Sequence, residues 1–187
     1  MPPILAFLPH RGYLKPMKHP SAARPPLDWR PQFSDVAPAL AELMRQQSLT
    51  AALMATGAAF AVQVRHQGKA RDLWADECLP AEAAAFYARE VHLLLDGEPV
   101  VWARSVCADD AAGWKQVLDC GTQPLGAQLF GGGIRASRSP FAFARVPAGW
   151  LGAADGSVWA RRSLFAAGGE VLGLTECFLP ALQGFFR

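Results

Sequence analysis

The sequence predicts an α+β domain built on an antiparallel sheet. Three pairs of alternating segments meet at turn-forming residues, helical periodicity appears only near the start and in the middle, and no βαβ alternation occurs. With 187 residues, 51% of them hydrophobic and 18% charged, the chain is long enough to bury one sizeable core and is too apolar to be disordered.

The first 27 residues contain Pro2, Pro3, Pro9, Pro16, Pro20, Pro25 and Pro26. Proline at this density prevents regular structure, so 1–27 is expected to be a flexible extension and 28–187 a single domain. Ser34 and Asp35 are good helix caps, and Val36, Leu40, Leu43 and Met44 fall on one helical face. Ser48 to Thr56 extends this helix or turns into a strand. Phe60 to Arg65 alternates, and Gln67-Gly68-Lys69 reads as a hairpin turn leading to a partner strand near Trp74. Pro80 to Ala85 suits a short helical turn. Phe86 to Leu95 is a strong strand, Asp96-Gly97-Glu98-Pro99 turns the chain, and Val100 to Val106 returns antiparallel. Ala111 to Leu118 reads as a short helix. Gly131-Gly132-Gly133 opens an irregular region through Pro140 and Pro147. Val158 to Ala166 and Glu170 to Leu179 form the last hairpin, around Gly168-Gly169.

Composition excludes several functions. A net charge of +2 without a clustered basic face does not suit nucleic-acid binding. No apolar stretch is long and clean enough to predict a transmembrane helix. Residues Pro2 to Leu8 lack the features of a secretory signal, so a cytoplasmic location is expected. Cys78, Cys107, Cys120 and Cys177 are widely spaced, with no CxxC pair, and are expected to be reduced and packed as small apolar groups. His10 and His19 lie in the extension, and His66 and His92 have no neighbouring ligand, so no structural metal is expected.

The period-2 pattern singles out two residues. One face of the strand 86–95 carries Tyr87, Arg89, Val91, Leu93 and Leu95, with Arg89 its only charge. One face of the last strand carries Leu172, Leu174, Glu176 and Phe178, with Glu176 its only charge. An ion without a partner in apolar surroundings is costly. Either the two pair with each other or with Arg161, Arg162 or Glu90, or each faces a cavity, Arg89 for a carboxylate and Glu176 for a hydroxyl.

Six short motifs in order then carry a resemblance. They are Tyr87-Ala88-Arg89-Glu90, Asp96-Gly97-Glu98-Pro99, Ala103-Arg104-Ser105-Val106, Pro124-Leu125-Gly126 with Leu129-Phe130, Trp159-Ala160-Arg161-Arg162-Ser163, and Leu174-Thr175-Glu176-Cys177-Phe178-Leu179-Pro180-Ala181. In these the sequence resembles the chorismate lyases, which convert chorismate to 4-hydroxybenzoate and pyruvate at the start of ubiquinone synthesis. The resemblance implies a six-stranded antiparallel sheet with an enclosed ligand beneath helical flaps. It implies that Arg89 holds the ring carboxylate, that Glu176 meets the ring hydroxyl, and that Leu125 and Leu49 touch the ligand. It also implies chorismate and 4-hydroxybenzoate as ligands, no cofactor, and a monomer. The match at Leu49 rests on Ser48-Leu49-Thr50, where the family usually has Met. If Glu176 lies in a dry setting, it could assist proton movement.

Arg135, Arg138 and Arg145 lie in the irregular 131–157 region and read as a solvated loop, or as groups that attract an anionic substrate. Arg161 and Arg162 alternate, so only one can face a cavity. The competing function is a non-catalytic sensor of small aromatic acids. A similar fold serves as the sensing domain of bacterial regulators, although residues 1–27 are too short and proline-rich to be a helix-turn-helix.

Overall fold

The computed structural model describes residues 24–77, 80, 83–130, 134–152 and 155–186. The Gly131-Gly132-Gly133 run, Cys78, and the extension as far as residue 23 lie outside them, as do residues 81 and 82 of the expected turn at 80–85.

Seven strands form one antiparallel sheet: β1 (Phe60–Lys69), β2 (Phe86–Leu95), β3 (Glu98–Ala108), β4 (Ser137–Arg138), β5 (Ala142–Pro147), β6 (Ser157–Ala167) and β7 (Glu170–Phe178). The order across the sheet is β1-β2-β3-β7-β6-β4, with β5 also on β6. Seven strands therefore stand where six are expected, because two segments share the last position. Arg138 pairs with Phe165, and Ala142 to Pro147 pair with Arg162 back to Ser157.

The β2–β3 and β6–β7 hairpins form as the sequence predicts. Asp96 and Gly97 have φ of 48° and 84°, and Gly168 and Gly169 have 58° and 84°. Positive φ at both central residues gives a turn whose twist matches the flanking strands. The expected hairpin around Gly68 does not form. β1 runs through Gly68, which lies opposite Ala88, and its partner is β2 from Phe60↔Leu95 to Lys69↔Tyr87. The register skips between Val64 and His66, so a bulge ends the alternation seen from Phe60 and the strand continues beyond it through the Gln67-Gly68-Lys69 run that suggests a turn.

The helices are short. α1 (Pro38–Arg45) starts at a proline rather than at the expected Ser34, since Asp35 has a positive φ of 56°. α2 (Leu49–Met54) is capped by Ser48 Oγ, which accepts from the Ala51 N–H at 3.3 Å. α3 (Ala112–Leu118) is followed by α4 (Leu125–Phe130). All four lie on one sheet face and make two apolar clusters. One gathers Leu43, Met44, Leu49 and Leu53 over Val91, Leu93 and Leu95. The other gathers Trp114, Leu118, Leu125 and Leu129 over Leu172 and Leu174.

The opposite face, which carries Glu90 and His92, is covered too. Trp74 stacks on Trp102 with centroids 5.7 Å apart, and Val146, Val158 and Cys177 complete that layer. The end of the expected extension is tied in here. The Arg24 N–H donates to Leu73 O (2.8 Å) and the Leu27 N–H to Asp76 Oδ2 (2.9 Å).

Candidate functional site

The cavity lies at the seam between the two apolar clusters, above the middle of the sheet. Cross-strand register fixes its floor. Arg89, Ser105, Leu174 and Ser163 form one row across β2, β3, β7 and β6, and Val91, Ala103, Glu176 and Arg161 form the next. Directly opposed residues share a face, so all eight side chains point to the helices. Arg89 and Glu176 are two strands and two residues apart. That places their Cα atoms about 12 Å from each other, from about 4.8 Å between strands and about 3.3 Å per residue.

The four residues singled out by sequence reach one cavity: Arg89 and Glu176 from the floor, Leu49 from α2 and Leu125 from α4. The free space is small, about 40 Å³, room for only a few waters. Leu49, Leu125 and Leu129 on the helices above the floor are themselves buried.

Arg89 is 2% exposed. Among the described residues it makes no ion pair. One terminal nitrogen donates to Gly121 O (2.7 Å) and Gln123 O (3.3 Å) in the loop before α4, and its Nε has no partner. A buried guanidinium held by neutral carbonyls is chemically able to seat an anion, because its planar fork matches a carboxylate in two parallel hydrogen bonds.

Glu176, 8% exposed, is not alone. Arg161 Nε donates to its Oε2 at 2.6 Å, and Arg161 NH1 donates to Met44 O (3.2 Å) and Gln46 O (2.5 Å). This is one of the pairings the pattern left open, and it adds Arg161 to the site. Arg162 points to the other face, where it donates to Asp76 O and lies over the Trp29 ring. Glu176 keeps acceptor capacity toward the cavity, since a carboxylate has about four lone-pair sites.

Of the three arginines in the irregular region, Arg138 lines the cavity, whereas Arg135 and Arg145 are exposed. Arg138 Nε donates to Ser163 Oγ (3.0 Å) and NH1 to Gln47 O (2.7 Å), with the guanidinium over Phe141 and Phe165. Burial pulls it down to about 10, with Glu176 opposing that shift and Arg161 adding to it. Sequence reasoning placed Arg138 in a loop because a two-residue strand is too short to display alternation.

Among the described residues no group of His, Cys, Asp and Glu is placed to hold a metal ion, and no helix is long and apolar enough to cross a membrane. The arrangement is suited to holding a compact anion with a polar group at its far end, in a setting where fixed charges act at full strength.

Residues 28–185 match the family described as chorismate lyase. A probable chorismate pyruvate-lyase of Ralstonia nicotianae is 40% identical over 156 residues, 74% of this chain and 79% of that protein. One of Azoarcus sp. is 36% identical over 201 residues, 90% of this chain and 97% of that protein. Among solved structures, the effector domain of PhnF from Mycobacterium smegmatis superposes with a TM-score of 0.50 at 17% identity, over 72% of this chain and 89% of that one. That last likeness is one of fold.

Proposed function

The chain belongs to the chorismate lyase family, and from that premise we propose how its cavity runs the reaction that takes chorismate to 4-hydroxybenzoate and pyruvate, the first step of ubiquinone synthesis. The observation that carries the reading is Arg89, a buried guanidinium without an ion-pair partner among the described residues, facing the same cavity as Glu176.

Arg89 holds the ring carboxylate and Glu176 accepts from the ring hydroxyl. Leu49 and Leu125 are the walls that keep the ring between them, and α2 and α4 enclose it. The C–O bond to the enolpyruvyl arm breaks, the hydrogen on the hydroxyl-bearing carbon leaves, and the ring becomes aromatic. If that hydrogen passes to the arm's terminal methylene, pyruvate forms directly and no protein base is needed. No oxidation state has to be supplied from outside. The protein's share is positioning and a preorganised field, which fits a site lined by three arginines and a fixed carboxylate. The same contacts survive in 4-hydroxybenzoate, so product leaves slowly.

The test is direct. Purified protein mixed with chorismate should release pyruvate above the spontaneous rate, followed through lactate dehydrogenase. Binding of 4-hydroxybenzoate with no pyruvate release would replace the enzyme with a sensor.

A further inference from the structure

We propose that Ser105 completes the carboxylate seat: its hydroxyl donates to the same carboxylate that Arg89 takes, and so fixes the end of the cavity at which the ring is anchored. The inference deepens the chorismate reading above and rests on it.

The floor leaves few groups to choose from. Of its eight side chains, Val91, Ala103 and Leu174 have no polar atom. Arg161 and Glu176 hold each other, and Ser163 Oγ accepts from Arg138 Nε at 3.0 Å. Arg89 and Ser105 remain. Ser105 is 3% exposed and lines the cavity, and among the described residues its Oγ has no hydrogen-bond partner. Arg89 Nε has none either. A buried polar group left unbonded costs stability, so each one in a folded protein calls for a reason.

Position supplies that reason. Arg89 and Ser105 are directly opposed on β2 and β3, which puts their Cα atoms about 4.5–5.5 Å apart with both side chains on one face. Nε is the guanidinium donor nearest the main chain, so an anion on it lies low over the sheet, beside Ser105. The two groups do not bond to each other. Both can donate, and a carboxylate can accept from both at once. Beyond Ser105 in the same row comes Leu174, which offers nothing polar, and Glu176 stands on β7 one row further along. A carboxylate between Arg89 and Ser105 therefore directs the ring across β3 toward Glu176.

The experiment sets affinity against stability in Ser105→Ala. The dissociation constants of 4-hydroxybenzoate and benzoate, measured by calorimetric titration, should rise by the same factor, about tenfold to a hundredfold, the range for a hydrogen bond to a charged group. Benzoate keeps the carboxylate and lacks the hydroxyl, so an equal loss puts Ser105 at the Arg89 end. With chorismate, KM should rise while kcat holds or increases, because the carboxylate is held alike in substrate and product. The ligand-free variant should unfold in urea at the parent's midpoint or above it, since the hydroxyl it loses has no partner there. Undiminished affinity for 4-hydroxybenzoate would overturn the proposal. So would a loss confined to 4-hydroxybenzoate and absent for benzoate, which would move Ser105 to the hydroxyl end. A lowered urea midpoint would overturn it too, by making the residue structural. If the unaltered protein releases no pyruvate, the chorismate reading itself has failed, and the two binding constants still decide the carboxylate seat.

Discussion

Replacing Arg161 by Met should cost more stability than any other single change in the cavity. Arg161 is 1% exposed and makes three hydrogen bonds, to Glu176 Oε2 and to the carbonyls of Met44 and Gln46. Met fills much of the volume but donates nothing, so a buried carboxylate and two buried carbonyls lose their donor together. Breaking a buried pair from one side costs about 3–5 kcal/mol, and the orphaned carbonyls leave no reason for the lower end. In a domain of this size that is a fall in Tm of roughly 6–20 °C. The double variant Arg161→Met, Glu176→Met removes both charges and should be less destabilised than Arg161→Met alone, by about 1–2 kcal/mol. Urea unfolding of the four proteins measures this. If Arg161→Met unfolds within about 1 kcal/mol of the parent, the pair is not buried as described. If the double variant loses the sum of the singles, the cost lies in packing and not in the stranded charge.

Arg89→Ala and Glu176→Ala should each lower kcat/KM for chorismate by about a hundredfold or more, since each removes a charged hydrogen bond to the reacting molecule; a near-normal value in either would strip that residue of its role. On the other sheet face, Glu77 is buried and shares Arg104 with Glu90. Burial outweighs that shared cation and pushes Glu77 up from 4.5 to about 7. The folded state therefore holds this proton where the unfolded chain has lost it. The contribution is fully present below about 4.5 and is lost as pH rises through about 7, on the order of 3 kcal/mol. Urea midpoints across that window should fall less steeply with pH in Glu77→Gln, and an identical slope would refute the assignment.

The elements legible in the sequence are those whose turn chemistry and alternation agree. Asp96-Gly97 and Gly168-Gly169 announce two hairpins, and the faces they define are the ones that carry Arg89 and Glu176. The misreadings have local causes. At β1 a bulge beside Arg65 breaks the period of two, and Gly68, whose composition suggests a turn, lies inside the strand. α4 has six residues and follows a proline, too short for helical periodicity to appear. β4 has two residues and gives no alternation to read, so Arg138 looked like part of a loop. The pattern alone does not choose among the partners open to Glu176, because pairing across strands is a matter of register, and register is set by the whole sheet.

That register also ties each cavity cation to the segments 44–50 and 121–126 beside α2 and α4, the two lids. Arg89 holds the carbonyls of Gly121 and Gln123 before α4, Arg161 those of Met44 and Gln46, and Arg138 that of Gln47 before α2. A guanidinium has five N–H donors, and on Arg89 the Nε donor is unpartnered. A carboxylate arriving there adds a bond without displacing the carbonyls, and it neutralises a charge the lids help to bury. Ligand binding and the anchoring of these segments are then expected to favour each other, because whatever stabilises one state stabilises both features of it. Amide exchange should consequently slow at 44–50 and 121–126 when 4-hydroxybenzoate saturates the protein, and much less in Arg89→Ala at equal occupancy. At 100 times its dissociation constant the ligand adds about 2.7 kcal/mol to global stability, so exchange through complete unfolding slows everywhere by that factor. The diagnostic is protection of the two lids beyond what β5 gains, since that edge strand lines no part of the cavity. Equal gains at the lids and at that edge would mean that the arginines hold lids and ligand independently.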